Sequence, residues 1–185
     1  MTRAAAATVS CWPDDGRGMI RIRAAEPGDA QALVALAAEV GREQGAWLLT
    51  TEAWRSSTDE KRYLRAVRRH ADAAVFAVED DGVIVGRLSL ARDVHPASHH
   101  VADLGLMVGL SHRRLGIGRA LLEQAVDWAR STGVTKLELH VFPWNEQAIA
   151  LYTSFGFERE GLRKGHYERD GEPVDAILMA YHVPG

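Results

Sequence analysis

Two Asp-Gly pairs constrain this chain more than any other feature. Asp81-Gly82 separates Ala74-Val75-Phe76-Ala77-Val78 from the run Val83 to Leu90, and Asp170-Gly171 separates the last two strand-like runs. An Asp-Gly pair between apolar runs is a strong signal for a two-residue hairpin, because both turn residues take positive φ. The chain therefore contains long antiparallel runs. Around them, the hydrophobic period alternates between two and 3.6 residues. Met19-Ile20-Arg21-Ile22-Arg23 reads as a first strand. Pro27 and Asp29 open a helix carrying Leu33, Leu36, Ala37 and Val40 on one face, ended by Gly41 or Gly45. Ser57-Thr58-Asp59-Glu60 reads as a capping box for a second helix running to about Ala71. A strand is expected from His100 to about Gly109. A helix with Ile117, Leu121, Leu122, Ala125, Val126 and Ala129 on its apolar face follows, ending at Gly133. Thr135 to Phe142 alternates as a strand, and Asn145 begins a short helix closed by Gly156. The predicted order is β-α-α-β-β-β-α-β-α-β-β, one mixed α/β domain over residues 19–185.

Residues 1–18 read differently. Four alanines and the stretch Val9 to Gly16 make a short, interrupted apolar segment, unlike a secretory leader, and a disordered tail is expected there. A start at Met1 or at Met19 is left open by the sequence, and a cytoplasmic location is expected. Composition narrows the function classes. Twenty-two basic against twenty-five acidic side chains give a net charge of −3, which argues against a broad nucleic-acid surface. No apolar run reaches the length of a membrane-spanning helix, so no membrane partner is expected. The single cysteine, Cys11, excludes an internal disulfide framework.

Two segments carry chemistry. Arg113-x-x-Gly116-x-Gly118 lies between a strand and a helix. Glycines there let the backbone turn tightly, and unpaired amides at the helix start form an anion site suited to a pyrophosphate. Arg113, Arg114 and Arg119 add mobile positive charge. On the glycines alone, an ordinary strand-to-helix turn with solvated arginines explains the segment equally well. It is neither a P-loop, since no Gly-Lys-Ser/Thr follows, nor a good dinucleotide fingerprint, since Leu121 replaces the third glycine. The second segment is Asn145 to Tyr152, seven residues apart on one helix face. Taken singly, Asn145 is a good helix N-cap and Tyr152 a core residue on the stripe Ala148, Leu151, Tyr152, Phe155.

Together the segments resemble the GNAT superfamily of N-acetyltransferases, over roughly Met19 to Val183. The family's acyl-CoA signature, Arg/Gln-x-x-Gly-x-Gly/Ala, stands at Arg113, Gly116 and Gly118. Asp103-Leu104-Gly105-Leu106-Met107-Val108 is similar to its cofactor strand, and Asn145 to Tyr152 with Phe155-Gly156-Phe157 resembles its second half-motif. The C-terminal run from Glu160 to Met179 resembles a bacterial subgroup acting on small amines or protein N-termini.

The resemblance implies a mostly antiparallel twisted sheet of about seven strands with about four helices, splayed between strands 4 and 5. It implies acetyl-CoA in that cleft. The pyrophosphate would lie on the amides of 113–118, including Ile117, and the pantetheine along Leu106, Met107 and Val108. An amide near Leu106 or Met107 would polarise the thioester carbonyl. Asp103 would accept the amine's proton, directly or through water; a solvated structural carboxylate is the equal alternative. Tyr152 would protonate the departing thiolate, and Asn145 would bond the pantetheine or fix the helix start. Relatives commonly carry glycine at position 114, where positive φ would make arginine costly.

The implied function is direct transfer to a primary amine of a small molecule, an amino acid or a protein N-terminus. A non-catalytic acyl-CoA sensor of the same fold is the alternative. No metal is expected: His95, His99 and His100 cluster without a supporting carboxylate or cysteine pattern. The basic stretch Lys61 to His70 reads as a solvated helix face. The segment with Trp47, Leu48, Leu49 and Trp54 reads equally as core or, by the resemblance, as an acceptor-site wall. A homodimer through C-terminal edge strands is open.

Overall fold

The computed structural model describes residues 20–45 and 55–185. The tail, Met19 and Cys11 lie outside them, as does the segment with Trp47 and Trp54. Among the described residues, seven strands form one sheet in the order β1-β2-β3-β4-β5-β7-β6. They are β1 (Ile20–Ala24), β2 (Ala73–Asp80), β3 (Val83–Arg92), β4 (Val101–Val108), β5 (Lys136–Val141), β6 (Glu158–Arg169) and β7 (Glu172–His182). Four α-helices among the described residues cover it: α1 (Ala30–Gly41), α2 (Ser57–Val67), α3 (Ile117–Thr132) and α4 (Glu146–Phe155). The expected order and element counts are met. Both hairpins form at the expected pairs, with Asp81 at φ 45° and Asp170 at φ 51°.

The core divides by sheet face. On one side α3 lays Ile117, Leu121, Leu122, Ala125 and Ala129 on Leu88, Leu90, Ala102, Leu104, Leu137 and Leu139. On the other, α1 sets Leu36, Ala37 and Val40 against Met107, while Leu33 and Leu64 pack on Val75 and Ala77. Strand alternation thus sends successive residues of β4 and β5 to opposite layers.

Three details correct the sequence reading. The cap of α2 is Ser56, whose Oγ accepts from the Asp59 amide at 3.1 Å, not Ser57. Glu60, expected to close that box, is instead fully buried, and its Oε1 accepts from Arg87 Nη2 at 3.1 Å. The helix ends at Val67, one turn before Ala71.

Candidate functional site

Every pair in the sheet is antiparallel except β4–β5. That pairing lasts only three residues: Val101, Ala102 and Asp103 against Lys136, Leu137 and Glu138. Beyond Asp103, β4 stays paired to β3 as far as Val108, and β5 to β7 as far as Val141. The two strands therefore diverge, and the inner edges of Leu104–Val108 and Leu139–Val141 face a wedge rather than each other. A cavity of about 740 Å³ fills it, within the usual range for small-molecule sites.

Residues from both sheet faces line this cavity. Leu104, Val141 and Tyr152 belong to the α3 layer. Met107 and Arg87 belong to the opposite layer, where they meet α1 and Glu60 of α2. The opening passes through the sheet.

One end of the cavity is the turn into α3. Gly116 is the N-cap at φ 83°, a conformation suited to glycine. Gly118 lets α3 lie close to α4: a Cβ there would meet Leu151 Cδ2 at 2.8 Å, and that side chain would have to shift. The amides of Arg114, Leu115 and Gly116 donate to no acceptor among the described residues. With the first amides of α3 and its dipole they form an electropositive cradle.

The arginines divide. Arg113 is not mobile: its Nη atoms donate to Glu43 at 2.8 and 2.7 Å, and its Nε donates to the Val108 carbonyl at 3.0 Å. It ties the turn to the residues just after α1. Arg114 stands at φ 65°, the strained conformation anticipated for this position. Arg114 and Arg119 both line the cavity; the Arg119 side chain is 57% exposed beside Glu123.

Leu106, Met107, Val108, Arg113, Arg114, Gly116, Gly118, Arg119, Asn145 and Tyr152 all line the cavity. Ile117 does not, since its side chain is buried in the core under α3. Asn145 caps α4, its Oδ1 accepting from the Ala148 amide at 3.2 Å. Tyr152 is buried with its ring 5.7 Å from Phe157, and its hydroxyl makes no hydrogen bond among the described residues. Burial raises its pKa above the ordinary phenol value, so the group is held protonated.

Asp103 does not line the cavity. It lies at the closed end of the wedge, opposite Glu138. Desolvation and then the Glu138 charge push its carboxyl above the ordinary range.

The sequence reading missed two groups on this wall. Arg87 reaches the cavity from β3 while paired to Glu60; the pair spans 27 residues, and only an arginine in an otherwise apolar run hinted at it. His140 lines the cavity from β5, with Nδ1 2.8 Å from the Tyr167 hydroxyl. Nearby, Trp144 stacks on Phe142 at 4.5 Å and donates from Nε1 to the Gly45 carbonyl at 3.0 Å. That contact joins the loop after β5 to the chain beyond α1. Among the described residues, no cluster of three or more His, Cys, Asp or Glu is arranged to hold a metal. No described helix is long and apolar enough to cross a membrane.

Comparison with known proteins places this wedge among relatives. The L-amino acid N-acetyltransferase AaaT of Escherichia coli is 38% identical over 104 residues, 54% of this chain and 62% of that protein. The [ribosomal protein bS18]-alanine N-acetyltransferase of the same organism is 41% identical over 78 residues, 42% of this chain and 53% of that protein. The matches thus span about half to three-fifths of these curated relatives. The crystal structure of a GNAT-family acetyltransferase from Streptococcus pneumoniae superposes with a TM-score of 0.80 at 26% identity, covering 89% of this chain and 99% of that one. The model of the acetyltransferase (GNAT) family matches residues 44–157, which include the whole wedge from β4 to α4, and the chain belongs to that family.

Proposed function

We propose that this chain transfers an acetyl group from acetyl-CoA to a primary amine, by direct attack in a ternary complex. The observation that carries the reading is the passage of the cavity through the sheet. Two ligands entering from opposite faces can meet between β4 and β5 without exchanging places, and no covalent enzyme intermediate is then required.

The cradle at 114–119 suits the pyrophosphate of acetyl-CoA, with Arg114 and Arg119 as cations beside it. Beyond Asp103, β4 lacks a strand partner on its β5 side, so apart from the Val108 carbonyl, which accepts from Arg113, its polar groups there are available to a pantetheine arm along Leu106, Met107 and Val108. An amide of that edge near Leu106 or Met107 is the natural donor to the thioester oxygen as charge develops on it. Tyr152 faces the cavity as a protonated phenol and supplies the proton that the departing thiolate needs. Asn145 holds the first turn of α4 and so positions Tyr152.

The names of the relatives support an amino acid or a protein N-terminus as acceptor. The test is release of CoA thiol with saturating acetyl-CoA, across single amino acids, polyamines and short peptides, against a blank without amine. Signal for one class supports transfer and identifies the acceptor type. Binding of acetyl-CoA with no signal across free amines, peptides and folded ribosomal proteins supports the sensor alternative.

A further inference from the structure

His140 is a titratable side chain on the cavity wall that the scheme above leaves unused. The last β4–β5 pair is Asp103 with Glu138, and His140 lies two residues farther along β5, where the wedge has opened. By alternation it shares the face of Glu138, while Leu139 and Val141 point into the α3 core beside Tyr152. His140 and Tyr152 therefore flank the opening from opposite faces of the sheet.

The imidazole is held firmly. Its Nδ1 is 2.8 Å from Tyr167 Oη, and the rings of His166 and Tyr167 meet it edge-on at 5.3 and 5.9 Å. Its Nε2 is buried with no hydrogen-bond partner among the described residues. His140 lines the cavity, and an unpaired nitrogen on such a residue is completed by a ligand that the ring turns to meet. In the tautomer whose Nδ1–H donates to Tyr167, Nε2 carries the free lone pair, and a role as base belongs to that tautomer.

The surrounding charges agree. Burial, then Arg163 and His166 on β6, lower the pKa of His140, and Glu138 on its own strand opposes them. Asp103 on β4 acts on Tyr167. These surroundings favour the neutral ring.

Building on the acetyl-transfer reading, we propose that His140 is the catalytic base, with Tyr167 as the residue that positions it. The amine nitrogen bonds to the carbonyl carbon while its proton passes to His140 Nε2. The carbon–sulfur bond breaks, and the sulfur takes the proton of Tyr152. Solvent then carries the proton of His140 back to Tyr152, so the cycle consumes none. Asp103, at the closed end of the wedge, contributes charge and not the transfer itself.

The test compares wild type with His140→Gln, Tyr167→Phe and Asp103→Asn. The probes are acetyl-CoA with an alanine-initiated hexapeptide and with the twenty L-amino acids. His140→Gln is expected to lower kcat by about 100-fold or more, to remove the acidic limb of the kcat/KM profile, and to leave acetyl-CoA affinity within about twofold. Tyr167→Phe moves that limb, and Asp103→Asn leaves it in place. A His140→Gln enzyme within about threefold of an active wild type, or a limb that disappears in Asp103→Asn, overturns the assignment and leaves the transfer reading intact. A wild type that binds acetyl-CoA yet acetylates nothing overturns both. Ring nitrogen NMR of the wild type reads the same assignment without any acceptor. An unprotonated Nε2 at pH 7 supports it, and a protonated Nε2 overturns it.

Discussion

Replacing Glu60 with alanine tests how the Arg87 wall of the wedge is held. Glu60 is wholly buried and Arg87 is 3% exposed. The Glu60 carboxylate accepts from Arg87 Nη2 at 3.1 Å and from Arg55 Nη1 at 3.4 Å. Desolvation pulls the Arg87 pKa down, and Glu60 is the first charge that restores it. Removing Glu60 takes its carboxylate away from a buried arginine, and losing one partner of a buried pair costs about 3–5 kcal/mol. Against a typical total of about 5–15 kcal/mol, the variant folds with little margin. With a urea m-value of about 2 kcal/mol/M, the midpoint falls by about 1.5–2.5 M. The assay is equilibrium urea unfolding followed by tryptophan fluorescence and circular dichroism together. A double variant, Glu60→Leu with Arg87→Met, removes both charges and recovers most of the loss, because an apolar replacement of matched size is close to neutral. A Glu60→Ala midpoint within about 0.5 M of wild type, equivalent to about 1 kcal/mol, refutes the reasoning. So does a double variant no more stable than the single one.

Three further outcomes follow from local geometry. Arg114→Gly relieves a left-handed arginine worth about 1–2 kcal/mol, less about 0.5–1 kcal/mol for glycine's freedom when unfolded, and raises Tm by about 2 °C; Arg114→Ala, which keeps the strain, gives no such gain. Ser56→Ala costs about 1 kcal/mol through loss of the α2 cap, whereas Ser57→Ala is close to neutral, and urea midpoints separate the two. Arg23 donates to Asp29 at 2.7 and 2.9 Å and to Glu79 at 2.7 Å. Burial pushes Asp29 up, but Arg23 and the Glu26 amide outweigh it, and Arg23 lowers Glu79 directly. Because both folded carboxyls titrate below their unfolded values, their stabilisation is present above about pH 4 and is lost as pH falls through the folded values. The stability gap between wild type and Arg23→Met is therefore widest at pH 7 and narrows at pH 3; a constant gap contradicts the linkage.

What the sequence revealed follows from the range of the interactions. Asp81-Gly82, Asp170-Gly171, Asn145 and Gly133 act on neighbours within one turn, and each stands where local chemistry placed it. The α2 cap shows the limit. Ser56-x-x-Asp59 and Ser57-x-x-Glu60 are equivalent patterns, and what separates them is the demand of Arg87, 27 residues away, for a buried partner. Arg113 was legible as part of the turn, but Glu43, 70 residues earlier, converts it from a loose cation into a tie. Asp103 was placed on the correct strand, yet the wedge opens only past it, and strand alternation alone does not say where two strands part. His140 lay inside a correctly read strand, and its meaning depends on Tyr167, brought across from β6 by way of β7.

The central claim is that both ligands occupy the wedge together and the acetyl group passes directly between them. Initial rates over a matrix of acetyl-CoA and acceptor concentrations, paired with intact-mass analysis of the protein incubated with acetyl-CoA alone, test it most directly. The account predicts intersecting double-reciprocal lines and no acetylated protein before the amine is added. Parallel lines with a stable acetyl adduct that the amine discharges would contradict it.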